Sequence, residues 1–332
     1  MPDIPEPLYL DARALSPDDE RACRRGAAFA QAPVHVVRLE GAAPVQCIQG
    51  LLTNDVEAAG PAGFLYGAVL TPKGMILTDL WVERLEPAVT LFAPLAGATA
   101  LTSVLSRYVP PRMARATVMT DAMVVLRLVG SHAADTASRA GLAVPEPGRS
   151  VQGELDGMDY ILSRTPLDAP FVLQITTADP APVQQALSAA GAVAVAQAGL
   201  DLVRALAGWP ALGHEIGDKT LPQEARFDDI DAVSYSKGCY TGQETVARLH
   251  FRGHANRRIA GLEWAATPDP GTGAITVDDR EVGRITSVIW SHTLDRFIGL
   301  GMVRREVEEG ATVVAGGVAA VVTTLPLDHV EQ

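Results

Sequence analysis

The chain has 332 residues, with 27 Lys or Arg against 39 Asp or Glu, and its formal net charge is −12. At 48% hydrophobic and 20% charged residues, it has the composition of a folded protein of about two domains, which excludes a largely disordered chain. The negative charge excludes binding of nucleic acid or anionic membrane over the whole surface, because the overall field repels phosphate.

The first third of the chain predicts alternating strands and helices. β-Branched residues over residues 34–39 predict a strand, and apolar residues at helical spacing predict a helix over residues 41–52. The apolar runs 64–70 and 75–84 flank the sequence Thr-Pro-Lys-Gly, which predicts a β-hairpin with a tight turn. A strand over residues 89–92 and a helix over residues 96–108 follow.

The middle of the chain repeats this arrangement. Strands are predicted over residues 123–128, 160–163 and 171–177, and helices over residues 133–140, 182–190 and 200–206. Because pairs of strands alternate with single helices, the pattern predicts antiparallel sheets with helices packed on one face.

After residue 258 the sequence changes to short strands separated by tight turns. The predicted strands cover residues 259–264, 274–277, 282–290, 297–304 and 312–324. Several strands and no helix within about 70 residues predict a small antiparallel barrel or sandwich. We therefore divide the chain into a region over residues 1–253 and a C-terminal domain over residues 254–328.

The segment 237–258 carries the clearest signal for chemistry. It holds five basic residues and one acidic residue in an acidic chain, which favours docking of an anionic ligand or partner; a solvated loop is the alternative. Gly238 and Gly242 predict a tight turn in which the backbone approaches a ligand closely. Gln243 and Glu244 then predict the start of a helix.

Cys239 lies between these glycines, and its surroundings favour a reactive thiol. Lys237 and the N-terminus of the predicted helix both place positive charge near the sulfur, and this favours the thiolate. The alternative is a buried cysteine that packs as a small apolar side chain.

The sequence Lys-Gly-Cys-Tyr-Thr-Gly-Gln-Glu at residues 237–244 resembles the signature of the YgfZ family, folate-binding relatives of the glycine cleavage T-protein. The resemblance extends over most of the chain. Weaker elements similar to those of the same superfamily lie at residues 47–55, 208–210, 221–224, 283–287 and 298–300.

The resemblance implies a mixed α+β fold in which two interleaved antiparallel-sheet lobes and a C-terminal β-barrel surround a central tetrahydrofolate site. It also implies an accessory function in the assembly or repair of iron–sulfur enzymes, with an indirect effect on tRNA modification. Cys239 would supply the functional thiol, and Lys237 would orient it. The expected partners are folate and iron–sulfur enzymes or cluster carrier proteins, without direct contact to nucleic acid or membrane.

Three kinds of side chain are expected to hold the folate, together with the two glycines and the glutamine of the signature. Aromatic rings offer faces to the pterin, arginines pair with the carboxylates of the glutamyl tail, and glutamates accept from the amino edge of the pterin. Core packing, surface solvation and helix capping are the alternative roles of the same residue types. The expected set is Arg204, Glu224, Gly238, Tyr240, Gly242, Gln243, Glu244, Arg248 and Arg252.

The glycine cleavage T-protein is an aminomethyltransferase, so folate-dependent one-carbon transfer, including demethylase-type transfer, is the alternative function. The acidic pair of that family corresponds to the end of residues 74–79, where Thr78 replaces the first acid and Asp79 remains. A hydroxyl cannot supply the charge of a carboxylate near a folate nitrogen. Leu206 also replaces a pterin-contacting glutamate, so glycine cleavage activity is not expected. An interaction scaffold that has lost its folate pocket is the third hypothesis.

The remaining features concern metals and compartment. The three cysteines form no Cys-x-x-Cys pair, and His250 and His254 lack further ligands at metal-site spacing, so no resident metal is expected. Residues 1–7 lack the pattern of a signal peptide, and no apolar stretch of about 18 residues occurs. A cytoplasmic protein with reduced thiols is therefore expected.

Overall fold

The computed structural model describes residues 7–166, 169–265 and 269–327. Residues 1–6, which contribute to the signal-peptide prediction, and residue 328, the last of the predicted C-terminal domain, lie outside the described residues. The helices within these ranges are α1 (Pro17–Arg25), α2 (Pro44–Gln49), α3 (Ala98–Tyr108), α4 (Ala133–Arg139), α5 (Ala181–Ala189), α6 (Gln197–Leu206) and α7 (Gln243–Arg252). None of these helices has the length and apolar character that a membrane span requires.

The strands within the same ranges are β1 (Leu8–Leu10), β2 (Ala28–Gln31), β3 (Val34–Glu40), β4 (Ala62–Leu70), β5 (Ile76–Leu85), β6 (Ala88–Pro94), β7 (Arg115–Val118), β8 (Val124–Val129), β9 (Ser150–Leu155), β10 (Met158–Arg164), β11 (Leu173–Thr177), β12 (Val193–Ala194), β13 (Arg257–Trp264), β14 (Ala274–Val277), β15 (Arg280–Ser291), β16 (Arg296–Arg304), β17 (Thr312–Ala315) and β18 (Val318–Thr323).

The described residues of the first lobe form a five-stranded sheet in the order β4-β5-β6-β3-β7. Strands β4 and β5 pair along their lengths, so the predicted hairpin is confirmed. Side chains alternate across a strand, and Leu80 and Val82 of β5 pack in the core that includes residues of α2 and α3. Asp79 and Trp81 therefore point to the opposite face, toward the rest of the molecule.

The second lobe contains a six-stranded sheet over its described residues, in the order β12-β2-β8-β11-β10-β9. Its outer face packs Leu126 and Ile175 against α4 and α5. Its inner face carries Arg127 and Gln174, which lie opposite each other on β8 and β11. Because β2 precedes the first lobe in the chain, the two lobes are interleaved, as the family resemblance implies.

A shared core joins the inner faces of both sheets to the C-terminal part of the chain. Phe64 and Trp81 of the first lobe, Phe171 of the second lobe, and Ile289 and Leu300 of the C-terminal strands all belong to it. Aromatic side chains dominate the part of this core that lies between the sheets. The three units thus meet around one interior region.

Strands β13 to β18 close into an antiparallel barrel in the order β15-β14-β17-β18-β13-β16, with β16 pairing back onto β15. The predicted C-terminal barrel is therefore confirmed. Strand β1 adds to β15 in parallel, and Glu20 of α1 accepts hydrogen bonds from Ser291 Oγ at 2.8 Å and from the His292 amide at 2.7 Å. The N-terminal strand and helix, which the sequence pattern did not predict, are fastened to the barrel.

Candidate functional site

Lys237 fastens the signature segment 237–244 to the first lobe. Its buried ammonium donates hydrogen bonds to three backbone carbonyls, those of Gln49 at 2.7 Å, Leu52 at 2.7 Å and Asn54 at 2.8 Å. These bonds use all three N–H groups of the ammonium. Burial lowers the pKa of Lys237 to about 8. The side chain therefore joins segments of the chain that are up to 188 residues apart.

Further hydrogen bonds extend this contact. Thr53 Oγ1 donates to the Ala232 carbonyl at 2.7 Å, the Ser234 amide donates to the Thr53 carbonyl at 3.0 Å, and the Thr241 amide donates to the Gly50 carbonyl at 3.3 Å. The elements at residues 47–55 and 237–244, which the family resemblance singles out separately, thus form one structural unit. We call residues 234–242 the thiol loop.

The thiol loop leaves Cys239 at the surface. Among the three cysteines, all of which the structure describes, Cys239 is exposed, whereas Cys23 and Cys47 are buried. Burial raises the pKa of Cys23 to about 12 and also raises the pKa of Cys47. The ammonium of Lys237 binds carbonyls rather than the sulfur, so what it fixes is the position of the loop that carries Cys239.

Gly242 shapes the end of the thiol loop. It caps the N-terminus of α7 with φ of +84°, and a Cβ at this position would lie 2.6 Å from the Thr71 carbonyl oxygen. Gly74, in the facing hairpin turn, has φ of +86°, and its Cβ would lie 2.8 Å from Thr245 Cβ. The hairpin turn therefore packs on the start of α7 more closely than any side chain at these two positions allows.

Gly238 is under no such constraint. Its backbone lies outside the left-handed region, and an added Cβ would meet no atom within 4 Å in the described part of the chain. Lys237 Nζ lies 5.1 Å from the centroid of the buried Tyr240 ring. The backbone amide of Tyr240 donates a hydrogen bond to Gln243 Oε1 at 3.3 Å. Tyr240 and Gln243, both expected to bind folate, stabilise the loop itself in this structure.

Helix α7 presents charged and aromatic side chains to solvent. The helix begins at Gln243, as predicted. Glu244, Arg248 and Arg252 are exposed, and 67% of the Phe251 surface is accessible. The chain directly after the thiol loop therefore has an exposed surface with basic and aromatic character.

Tyr235, at the start of the thiol loop, stacks on His250 of α7. The two ring centroids are 3.6 Å apart, and the planes are nearly parallel at 18°. The Tyr235 hydroxyl donates to Asp228, whose other carboxylate oxygen lies 3.3 Å from His250 Nδ1. This cluster connects the acidic segment before the thiol loop to the basic helix after it.

Glu224 connects the lobes to the barrel. Its two carboxylate oxygens each accept a hydrogen bond from Arg257 at 3.0 Å, and one also accepts the Leu221 amide at 3.1 Å. The pair borders an open cleft of about 790 Å³ between the end of α7 and the barrel. The carboxylate expected to bind a pterin is therefore ion-paired at the side of the molecule where the barrel begins.

Arg204 makes a second connection of this kind. Its buried guanidinium donates to Glu215 Oε2 at 2.8 Å, to the Trp209 carbonyl at 2.7 Å and to Ser287 Oγ of β15 at 3.2 Å. In place of the folate-tail contact expected for Arg204, the structure shows an internal ion pair with Glu215. The sequence pattern did not single out Glu215, since its partner is known only once α6 and the following turn are folded.

A second group of polar side chains lies between the two sheets. The Tyr66 hydroxyl donates to Asp79 Oδ2 at 2.8 Å, whereas the buried Asp79 Oδ1 has no hydrogen-bond partner among the described residues. Burial raises the pKa of both side chains. The Tyr66 ring centroid lies 5.0 Å from that of Trp209, 5.1 Å from that of Trp81 and 5.6 Å from that of Phe227. An aromatic environment therefore surrounds the carboxylate.

The facing sheet contributes Arg127. Its guanidinium lies 4.3 Å from the ring centroid of Phe171, and its Nε donates to Gln174 Oε1 at 3.2 Å. Burial lowers the pKa of Arg127 to about 10, which keeps it charged at neutral pH. We call the following set the interior cluster: Tyr66, Asp79, Trp81, Arg127, Gln174 and Trp209.

Sequence reasoning missed Arg127 and Gln174. The available signal was one arginine inside the apolar strand Val-Val-Leu-Arg-Leu-Val at residues 124–129. Charged residues are rarely buried without a partner, so such an arginine indicates either an ion pair or a ligand. The strand pattern does not identify what faces it across the molecule.

A cleft of about 230 Å³ leads to the interior cluster, and its lining runs from Asn54 and Asp231 to Tyr66, Trp81 and Trp209. The aromatic rings of Tyr66, Trp81 and Trp209 at the inner end of the cleft, with the polar side chains of Asn54 and Asp231 at its other end, fit a flat heterocycle with polar edges, such as a pterin. Sites for whole drug-sized ligands measure roughly 300–1,000 Å³, so this cleft suits the ring rather than the entire folate.

Comparisons with known proteins define the class of this architecture. Residues 12–230 match the GCVT N-terminal domain, and residues 257–328 match the Glycine cleavage T-protein C-terminal barrel domain. The crystal structure of glycine cleavage system aminomethyltransferase T from Bartonella henselae aligns with a TM-score of 0.81 at 20% identity, covering 96% of this chain and 91% of that chain. The fold is that of the glycine cleavage T-protein superfamily.

Individual relatives show to which family within this superfamily the chain belongs. The tRNA-modifying protein YgfZ of Sodalis glossinidius (strain morsitans) is 30% identical over 250 residues, or 74% of this chain and 73% of that protein. An iron-sulfur cluster assembly factor IBA57 homolog, mitochondrial, from Mycosarcoma maydis is 28% identical over 258 residues, or 71% and 57%. The chain spans 42% of a chloroplastic protein from Arabidopsis thaliana that is 30% identical over 183 residues. The chain belongs to the YgfZ family.

Proposed function

We propose that this protein is a tetrahydrofolate-binding accessory factor in the assembly or repair of iron–sulfur enzymes. Through those enzymes it would influence tRNA modification. The observation that carries the proposal is the exposure of Cys239 on a loop held to the first lobe by Lys237. The names of two relatives, a tRNA-modifying protein and an iron-sulfur cluster assembly factor, support the same function.

Cys239 is the thiol proposed to act on the iron–sulfur cluster, which is the substrate. Its sulfur binds a cluster iron as thiolate, shared with ligands of a partner, and the thiol proton is released on binding. The partner is an iron–sulfur enzyme or a cluster carrier protein. It would approach over the exposed face of α7, where Arg248, Phe251 and Arg252 lie. A reducing cytoplasm is the compartment we propose, because it keeps the thiol available.

The interior cluster is the proposed site for the folate ring. Tyr66, Trp81 and Trp209 line the cleft that leads to it, and Asp79 supplies an acceptor for the polar edge of a pterin. When bound, tetrahydrofolate would act either as a reduced one-carbon carrier or as a regulatory ligand. The residues expected from the signature, Gly242, Tyr240, Gln243 and Glu244 among them, then act mainly by forming the loop that adjoins this region.

One-carbon transfer is the second candidate function, and one observation favours it. Asp79 is buried beside Tyr66 with a raised pKa and a free carboxylate oxygen, as a general acid or base would be. This function predicts turnover of an aminomethyl or N-methyl donor with tetrahydrofolate, abolished by Asp79→Asn. Absence of methylenetetrahydrofolate formation across such donors would remove it.

The test of the proposed function is the activity of a labile 4Fe–4S enzyme in cells that lack this protein. The strain is complemented with the wild type, with Cys239→Ala or with Cys47→Ala, whose thiol is buried and serves as the matched control. We expect the wild type and the Cys47 variant to restore activity and the Cys239 variant to fail. Restoration by Cys239→Ala at the wild-type level would refute the thiol function. A deletion without effect on the enzyme would refute the assembly function.

A further inference from the structure

Strand β7 (Arg115–Val118) forms an edge of the first-lobe sheet, and among the described residues it pairs only with β3. The Met119 amide, just beyond β7, donates to the Val36 carbonyl at 2.8 Å, so the backbone of Met119 faces β3. Backbone direction alternates from residue to residue along an antiparallel strand, so Ala116 and Val118 direct their N–H and C=O groups away from β3. An edge of this kind offers hydrogen-bonding groups to one more strand.

An open apolar groove of about 440 Å³ lies beside this edge, between β7 and α3. Val118 lies opposite the buried Val37 of β3, and paired residues share a face of the sheet, so Ala116 and Val118 face the groove. Val118 is nevertheless 54% exposed. We call this cavity the β7 groove; its lining includes Val37, Leu105, Val109, Ala116 and Val118. A strand added to β7 would place every second side chain over the groove.

The surroundings of the β7 groove are basic, although the chain as a whole is acidic. Residues 87–120 contain no Asp, Glu or Lys, whereas the whole chain has 39 acidic residues. Glu40, which lies opposite Arg115 on β3, already accepts a hydrogen bond from Arg38 Nε at 2.9 Å. The arginines of residues 87–120 are exposed and form no ion pair within the described ranges: Arg107, Arg112 and Arg115. The complementary charge for this surface is negative.

We propose that the β7 groove binds an extended acidic segment of a partner protein, which adds to β7 as a further strand. Its backbone pairs with Ala116 and Val118, its alternate apolar side chains enter the groove, and its acidic side chains meet the arginines. A second copy of this chain suits the surface poorly, because it would bring the arginines of both copies together. The groove lies on the α3 side of the sheet, opposite the face that carries Asp79, so it is distinct from the proposed folate site.

Fluorescence anisotropy with three labelled synthetic peptides tests this proposal. The first peptide is Glu-Val-Glu-Leu-Glu-Val-Glu, whose apolar side chains share one face when it is extended. The second peptide has Lys in place of each Glu. The third is the first peptide with N-methyl groups on its Val and Leu residues, which removes the N–H groups that would pair with β7.

Three protein variants accompany the peptides. Val118→Asp places a negative charge in the groove, and the double variant Arg112→Glu/Arg115→Glu reverses the charge beside it. Ala116→Pro removes an N–H that points away from β3, a position at which an edge strand tolerates proline. Val314→Asp is the matched control, because Val314 is 46% exposed on β17, which has a strand on each side. A thermal melt of each variant establishes that it is folded.

We expect the acidic peptide to bind the wild type, and Val118→Asp, Ala116→Pro and the double variant to weaken it by at least about tenfold. The Val314 variant should bind as the wild type does, and the double variant should prefer the lysine peptide. No binding of the acidic peptide to the wild type at roughly 1 mM would overturn the proposal.

The other peptides separate the parts of the proposal. Equal binding of the lysine peptide to the wild type would refute the acidic partner, and equal binding of the N-methylated peptide would refute strand addition. Sedimentation velocity of the wild type and of Val118→Asp covers the remaining occupant. Self-association of the wild type that Val118→Asp abolishes would assign the groove to a second copy of this chain and overturn the proposal.

Discussion

The thiol loop and the interior cluster place functional groups in opposite environments. The thiol loop is held by hydrogen bonds to backbone carbonyls and exposes its sulfur, whereas the interior cluster is built from side chains and buries a carboxylate and a guanidinium. The first environment suits exchange with another macromolecule. The second suits a small planar ligand, because a dry site strengthens each polar contact. Because the two regions are distinct, we expect the proposed thiol chemistry and the proposed folate binding to be separable by substitution.

The largest expected contrast concerns the three cysteines. At pH 8 a thiol-reactive reagent should modify Cys239 at least about a thousandfold faster than Cys23, because the pKa of Cys23 is raised from the ordinary 9.0 to about 12 and its side chain is buried. Mass spectrometry of timed digests measures the rates. Cys47 serves as the second buried reference. Equal rates at Cys239 and Cys47 would show that the thiol is not presented at the surface.

Substitution of the two loop glycines should change stability by very different amounts, because the backbone of Gly242 is constrained and that of Gly238 is not. Gly242→Ala should lower the free energy of unfolding by about 3–5 kcal/mol, since strain at positive φ adds to a collision with Thr71. Gly238→Ala is the matched control, with an expected change within about 0.5 kcal/mol. Urea denaturation measures both variants. Similar losses in the two variants would mean that the turn at Gly242 does not carry the constraint.

The stability of the folded state should depend on pH through Glu83, which lies on the same face of β5 as Asp79. Burial raises the pKa of Glu83 from 4.5 to about 7, so the folded state keeps a proton that the unfolded state releases between these values. This contribution to stability is complete below pH 4.5 and is lost as the pH rises through 7. It amounts to about 3 kcal/mol at most.

Urea denaturation at pH 4.5 and pH 7.5 measures this effect. The wild type should lose more stability over the interval than Glu83→Gln, whose side chain does not titrate. Glu40→Gln, at an exposed position, is the matched control and should follow the wild type. Burial also raises the pKa of Asp79, so its contribution to the pH dependence has the same sign and is common to all three proteins. Parallel slopes in the wild type and Glu83→Gln would contradict the assignment.

The smallest expected effect concerns Lys237, which holds the thiol loop to the first lobe. Lys237→Met should cost about 2 kcal/mol, because it leaves the carbonyls of Gln49, Leu52 and Asn54 without their donor. Tetrahydrofolate affinity should stay near the wild-type value, since the interior cluster is unchanged. Lys219→Met, at an exposed position, is the control for loss of a charge. If Lys237→Met unfolds with the same free energy as the wild type, the hydrogen bonds of Lys237 contribute little to stability.

Local patterns predicted much of the fold. The hairpin of β4 and β5 follows from two apolar runs around a turn, and the barrel follows from short strands with close turns. The helix over 41–52 is shorter than predicted, since α2 covers Pro44–Gln49 and the chain then turns to meet Lys237. Strands β1 and β2 and helix α1 were missed because the barrel and the second lobe stabilise them, and these contacts are distant in sequence.

The site was predictable only where one short segment contains it. Cys239, Gly242 and the start of α7 could be assigned from the sequence of a single loop. The partners of Lys237 and Arg204 could not be assigned from the sequence, because the fold brings them near these side chains. Arg127 and Asp79 come from different sheets, and no spacing in the sequence brings them together.

The separation of the two regions is tested most directly by the affinity of tetrahydrofolate for Cys239→Ala and for Asp79→Asn, measured by calorimetry beside the wild type. We expect Cys239→Ala to bind as the wild type does, because the thiol is exposed and outside the interior cluster. We expect at least about tenfold weaker binding by Asp79→Asn, which loses a charged acceptor. Loss of binding in Cys239→Ala with full binding in Asp79→Asn would contradict it.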